Sequence, residues 1–335
     1  MKTPILLAVL LSPAIALAVL DTAAAVALGQ EPLTLEKTIP LPGVKGRFDH
    51  FSADIAGKRL AVAGLGNDTV ELFDLAAGTR LTTIPGQRKP CGVLFVPDTP
   101  RLLVANGSDG TLRAFETETF KETAKLSGLD DADNVRWDAT HSHAVVGIAE
   151  GALAIVNENG DKLVARIPLA AHPEAFQVES KGWRAFVNVP GAKHIAVVDF
   201  EKHAVIATWP LDKWRSNFPM SLDETHDHLF VGCRSPSRLV AFDANGGRVL
   251  SDCEIGGDTD DLFFDPKRSR ICVSCGEGFL DTVNVDADGK LTRVAHQPTR
   301  SGARTCFFSS PLDRLYLAVP ERGSHAAELR VYQPQ

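Results

Sequence analysis

Acids, histidines and basic residues recur in this 335-residue chain in short clusters spaced about forty residues apart. Arg47, Asp49 and His50 form the first cluster, Lys89 and Cys91 the second, and Asp131, Asp133 and Asn134 the third. His172 with Glu174, then Asn217, then Asp258, Asp260 and Asp261, and finally Arg304 with Cys306 complete the series. Brought to one place, they would set seven carboxylates, two imidazoles and two amides beside a few bases. Crowded carboxylates repel one another, and a bound cation relieves that repulsion. Imidazoles mixed with carboxylates suit zinc, copper, iron or manganese, so His50, His172, Asp133, Asn134 and Asp261 are the expected ligands of a divalent metal ion. The oxygen-only subset Asp133, Asn134 and Asp261 would better suit calcium or magnesium. Arg47, Asp49, Asp131, Asn217 and Asp258 would contact a small ligand, for instance through sugar hydroxyls. In an enzyme of this kind Glu174 and Asp260 would move protons and Arg304 would steady an anion. A plainer role competes for each carboxylate, because Asp beside a strand often accepts hydrogen bonds from turn amides.

Residues so far apart in sequence can meet only if a repeating element delivers them. Each repeat begins with a short apolar strand, as in His50-Phe51-Ser52-Ala53-Asp54, Asn134-Val135-Arg136-Trp137-Asp138 and Asp261-Leu262-Phe263-Phe264-Asp265. A second strand alternates apolar residues, as in Arg101-Leu102-Leu103-Val104-Ala105, a third follows a Gly/Asn/Asp turn, and a fourth is more polar. In register, His50, Gly92, Asn134, Ala175, Pro219, Asp261 and Cys306 are equivalent, at intervals of 42, 42, 41, 44, 42 and 45 residues. A four-stranded unit of that period is the signature of a β-propeller blade. Period-2 patterning with frequent turn signals likewise points to antiparallel β structure. The expected fold is all-β: a seven-bladed β-propeller of four-stranded antiparallel blades.

The chain ends support a closed ring. The seventh unit stops after its third strand, Glu328-Leu329-Arg330-Val331-Tyr332, while Leu35-Glu36-Lys37-Thr38-Ile39-Pro40 has the pattern of a fourth strand. Joined, they would close the last blade and remove an open edge. The phrases Leu102-Leu103-Val104-Ala105-Asn106-Gly107-Ser108-Asp109-Gly110-Thr111 and Leu60-Ala61-Val62-Ala63-Gly64-Leu65-Gly66-Asn67-Asp68-Thr69 resemble the YVTN repeat. The chain as a whole is similar to the YncE-like exported propellers, a resemblance at the level of the fold. The literal tetrapeptide is absent, and Leu103-Val104-Ala105-Asn106 comes nearest. That family's activities are diverse, so the resemblance implies architecture and export more than chemistry. In a propeller the turns before the innermost strands converge on one funnel, which is where the charged clusters belong.

The N-terminus reads as a secretory signal. Lys2 gives a positive start, Ile5 to Leu20 is almost wholly apolar, and Ala25-Val26-Ala27 fits a cleavage site. Residues 1–27 are therefore expected to be removed, leaving one domain over residues 28–335, periplasmic or secreted and without a membrane span. The net charge of -7 argues against nucleic acid as a partner. The expected role is binding of a small molecule, metal ion or periplasmic protein at the funnel face by a monomer; the alternative is a metal-dependent hydrolase, lactonase-like enzyme or lyase.

Other residues carry weaker signals. Cys233 and Cys275 end equivalent strands in adjacent units and could form a disulfide. Cys272-x-x-Cys275 lacks the following helix that a redox motif uses. His226-x-His228 is a minor metal cue on one strand face, and Trp214-Arg215 could reach a ligand near the unit-five funnel. No Gly-x-Ser-x-Gly elbow, phosphate-cradling Gly-rich loop or Cys-x-x-Cys-His haem site is present in the sequence.

Overall fold

Seven four-stranded antiparallel sheets make up the computed structural model of the chain. It describes Met1 and residues 31–149, 151–180 and 182–335. The expected leader lies, after Met1, outside the described residues. Glu31–Gln335 forms one compact unit, and its sheets are the blades of an all-β propeller. The innermost strands are Phe51–Asp54, Pro90–Val96, Val135–Asp138, Phe176–Val178, Arg215–Asp223, Thr259–Asp265 and Thr305–Ser309. Each pairs with the next strand in sequence, so a blade is a meander running outward from the axis.

Burial explains why the second and third strands are nearly continuous apolar runs. Arg59–Gly64 and Arg101–Asn106 each expose little beyond their first residue. One side of such a strand packs on the preceding blade and the other on the following one. Leu60 and Val62 pack with Tyr316 and Leu329 of blade seven, while Ala61 and Ala63 pack with Val93, Leu102 and Val104 of blade two. Both faces of the pleat are thus apolar, as in any sheet covered on two sides. Seven such clusters, one at each blade junction, form the core.

The fourth strands are the most exposed, which accounts for their polar composition; Glu122–Ser127 is an example. Aspartates at the outer ends of strands serve the turns. Asp74 Oδ1 accepts from the amides of Ala76 and Ala77, and Asp138 Oδ1 from those of Thr140 and His141. The structural role weighed for carboxylates therefore applies to these positions, which lie away from the funnel.

Closure occurs as the chain ends suggest. Leu33–Leu41 pairs antiparallel with Ala327–Pro334 along its whole length, from Leu33 opposite Pro334 to Leu41 opposite Ala327, interrupted by one bulge at Leu35 to Lys37. Leu33, Ile39 and Leu41 are buried in the adjoining cores, whereas Leu35 points to solvent. A buried leucine cut to alanine typically costs about 2–5 kcal/mol, and an exposed one about 0.5 or less. Leu41→Ala should therefore lower the urea midpoint of unfolding markedly while Leu35→Ala leaves it unchanged; equal effects would show that the seam does not carry the ring.

Candidate functional site

Backbone pairing continues past the ends of the innermost strands and aims three acids at the axis. The amide of Asp49 donates to Ala63 O at 2.8 Å, that of Asp133 to Gly147 O at 3.0 Å, and that of Glu174 to Asn188 O at 2.9 Å. In return the amides of Ala63, Gly147 and Asn188 donate to His50, Asn134 and Ala175. Asp49, Asp133 and Glu174 are therefore structural equivalents in blades one, three and four. Blades two, five and six reach the same level through bulges, between Pro90 and Val93, Asn217 and Met220, and Thr259 and Asp261. A bulge re-aims a side chain without breaking the sheet.

The loops ahead of these strands hold left-handed backbone at Lys89, Asp131 and Asp258, with φ of 53°, 45° and 58°. None of the three is glycine, so each position is conformationally strained. Their side chains stand at the rim and pair between blades: Lys89 Nζ lies 2.9 Å from Asp131 Oδ1, and Arg304 Nη1 2.9 Å from Asp258 Oδ1. Gly92 is required for close approach, because a Cβ there would sit 2.2 Å from Asp133 O.

The result is a cavity of about 280 Å³ at the funnel. It is lined by Arg47, Asp49, His50, Lys89, Asp131, Asp133, Asn134, His172, Glu174, Asp260 and Arg304, all expected there. Of the expected metal- and ligand-binding residues, three do not line it. Asn217 is fully buried and spends its amide on Asn188 Oδ1 and His194 O. Asp258 stands beside the cavity with Arg304. Asp261 points deeper, accepting the Cys306 amide at 3.1 Å and facing His50 Nδ1 at 3.3 Å. His50 and Asp261 thus pair with each other, while His50 still lines the cavity with His172.

Arg234 and Phe218 line the cavity although sequence reasoning passed over them. Arg234 donates to Asp260 and, at 2.7 Å, to Thr259 O, with its guanidinium carbon 3.8 Å from the centre of the Phe218 ring. Its strand, His228–Ser235, runs eight residues where the equivalent strands run six, and that extension carries it to the funnel. A side chain at the end of a second strand has no signal in the pattern of first-strand turns. Trp214 instead packs against Phe242 in the core between blades four and five, so it does not reach the funnel.

All six cysteines are free thiols, so Cys233 and Cys275 are not bridged. Burial pushes the Cys233 thiol up to about 12, as expected for inert core positions. His226 and His228 stack on each other at 5.8 Å, with His226 held by Asp223.

Charge pairing leaves one corner of the funnel without a lysine or arginine in direct contact. Lys89 serves Asp131, Arg304 serves Asp258, Arg234 serves Asp260, and Arg47 approaches Asp49 at 3.5 Å. The one ion-pair partner of Asp133 among the described residues is His172, whose Nε2 lies 3.7 Å from Asp133 Oδ2. Glu174 makes no side-chain hydrogen bond or ion pair among the described residues. Donor atoms of Asp133, His172 and Glu174 all lie within 4.8 Å of one another. Asp133 Oδ1, Asn134 Oδ1 and His172 Nδ1 are buried atoms without a hydrogen-bond partner.

Protonation follows from this crowding. Burial, with Asp133 and Asp260 nearby, raises Asp49 to about 8 despite the opposing pull of His50. Burial and Asp133 raise Glu174 to about 7. Burial disfavours the His50 cation, yet Asp261 and Asp49 outweigh it and hold the imidazole up to about 10. Asp133 resists its burial through His172, His50 and Lys89 and stays below the ordinary carboxylate range. The funnel therefore holds ionised Asp133 beside carboxyls that retain protons near neutrality.

No family model matches the chain, and no curated protein does. Among solved structures, a chain of "Crystal Structure of Mitotic Checkpoint Complex" is similar, with a TM-score of 0.77 over 99% of both chains and 14% sequence identity. At that identity the likeness establishes the propeller fold alone.

A raised carboxyl favours folding only while it keeps its proton, so stability falls as pH climbs from the unfolded value, 3.8 for Asp49, through the folded value of about 8. Glu174 and His50 act in the same direction over their own ranges. The urea midpoint should accordingly drop between pH 5 and pH 8, and Asp49→Asn should shrink that drop. An unchanged drop in the variant would mean that Asp49 is ionised in the folded state throughout.

Proposed function

We propose that this chain is an exported, YncE-like propeller that binds a divalent metal ion in its funnel and, beside it, a small polar ligand. One observation carries the reading: donor atoms of Asp133, His172 and Glu174 cluster within 4.8 Å, and among the described residues no lysine or arginine forms an ion pair with either carboxylate. The buried, unpartnered oxygens of Asp133 and Asn134 add to it. Buried polar atoms without partners are costly, and a cation would satisfy several at once. Two carboxylates with one imidazole and an amide oxygen form a mixed set suited to zinc, manganese or iron(II). In this arrangement Glu174, expected to move protons, becomes a ligand, while His50 and Asp261 pair with each other. The cationic side chains Arg304, Arg234 and Lys89 are shared with rim carboxylates and could turn to an anionic group of the ligand. Export rests on the N-terminal signal, and the family on the Leu103-Val104-Ala105-Asn106 type of strand and turn.

Protein stripped with EDTA and titrated with zinc or manganese by calorimetry should take up one ion per chain. Asp133→Asn and His172→Ala should each weaken uptake by about tenfold or more with little change in melting temperature, in line with the loss of a direct ligand. Absence of saturable uptake, or full affinity in both variants, would end the proposal. Export is checked separately, by a periplasmic mature mass that starts near Leu28.

A further inference from the structure

His50 and Asp261 also line a second cavity, of about 330 Å³ and of different chemistry. Its walls come from later positions on the same innermost strands. Phe51, Leu94, Phe263 and Phe307 bring apolar surface from blades one, two, six and seven, and Arg136 with Trp137 comes from blade three. The rings form a connected group: Phe307 lies 6.3 Å from Phe51 in a stacked arrangement and 5.5 Å from Phe263 edge-on.

Arg136 shares this cavity with the aromatic rings and with Asp261, which is already paired with His50 and the Cys306 amide. Its one hydrogen bond among the described residues runs from Nη1 to the adjacent Val135 O, at 2.9 Å, and no carboxylate forms an ion pair with it. Its guanidinium carbon lies 5.8 Å from the centre of the Phe176 ring, a contact that compensates only part of its desolvation. Burial draws the guanidinium below the usual arginine range, against the pull of Asp261 and Asp133. A cation set among aromatic rings without a paired anion is costly unless something arrives to pair with it. The planar fork of arginine fits a carboxylate through two parallel hydrogen bonds.

We propose that this cavity is a second binding site, separate from the funnel, for a small organic carboxylate with an aromatic or branched apolar body. The carboxylate docks on Arg136, and the apolar body lies against Phe51, Phe263, Phe307 and Leu94. The size agrees: a cavity of about 150 Å³ already accepts benzene, and ligand pockets begin near 300 Å³. His50 lines both cavities, but Arg136, Phe51, Phe263 and Phe307 line this one and not the funnel, so the groups that would hold the carboxylate are not those that would hold the metal.

Phenylacetate, phenylacetamide and acetate serve as probes, titrated into the EDTA-treated protein by calorimetry and by saturation-transfer NMR. Phenylacetate should bind saturably at one site. Phenylacetamide, which lacks the charge, and acetate, which lacks the ring, should each bind about tenfold more weakly or worse. Arg136→Gln should abolish the preference for acid over amide, and Arg136→Lys should restore part of it. Phe307→Leu should weaken phenylacetate while keeping that preference, which secures the test should the arginine variants fail to fold. Equal binding of acid and amide, no saturable binding, or an unchanged preference in a folded Arg136→Gln protein would overturn the proposal. Loss of phenylacetate binding on EDTA treatment would also overturn it, by moving the ligand to the funnel. Failure of metal uptake in the funnel leaves this outcome untouched.

Discussion

Pairing between the first described strand and the last is the constraint on which the rest of the molecule depends. Every blade buries both faces of its middle strands against neighbours, so no blade can complete its core alone. An open array would end in two apolar faces and an unpaired edge. Leu33–Leu41, laid along Ala327–Pro334, joins the final blade to the first and turns a row of sheets into a ring. Only in a ring do the turns before Phe51, Val135, Phe176 and Thr259 become neighbours, and the funnel is made from those turns.

Once the ring is closed, the funnel's electrostatics follow from geometry. Equivalent positions in successive blades are forced together, so acids at these positions crowd whatever their distance in sequence. The protein tempers the crowding by setting a lysine or arginine of one blade against an acid of another and by letting Asp49 and Glu174 keep their protons. Among the described residues Asp133 is ion-paired only with a histidine and Glu174 with no side chain, so that corner is the least neutralised. Further along, the same innermost strands carry phenylalanines and an arginine, so one architecture lines two cavities of unlike chemistry.

The period, the seven blades and the closing strand were legible because they depend on patterns that the core enforces everywhere: alternation, turn residues and spacing. The site was legible to the extent that it lies in the same register as those patterns. Asp49, Asp133 and Glu174 precede their strands and could be aligned by eye. Asp261 could not be placed, because it sits inside a bulged strand that directs it to the Cys306 amide, and a shift of one residue changes the face. Asn217 sits in the bulge of its own strand, which turns its amide inward to Asn188 and His194. Arg234 stayed hidden because it rides on a second strand two residues longer than its counterparts, and length variation at strand ends leaves no periodic trace. Cys233 and Cys275 shared a register, yet equivalence around a ring does not by itself bring two sulfurs to bonding distance.

The close approach at Gly92 carries a consequence for how such a protein can vary. The position offers no functional group and would be passed over in any survey of charged or nucleophilic residues. Even so, the smallest possible side chain there would collide with the main chain that carries Asp133 and would push one wall of the cup outward. Tolerance to substitution is thus set by hydrogen-sized clearances as much as by reactive groups, and divergence among propellers of this kind would be held back at a residue that takes no part in recognition.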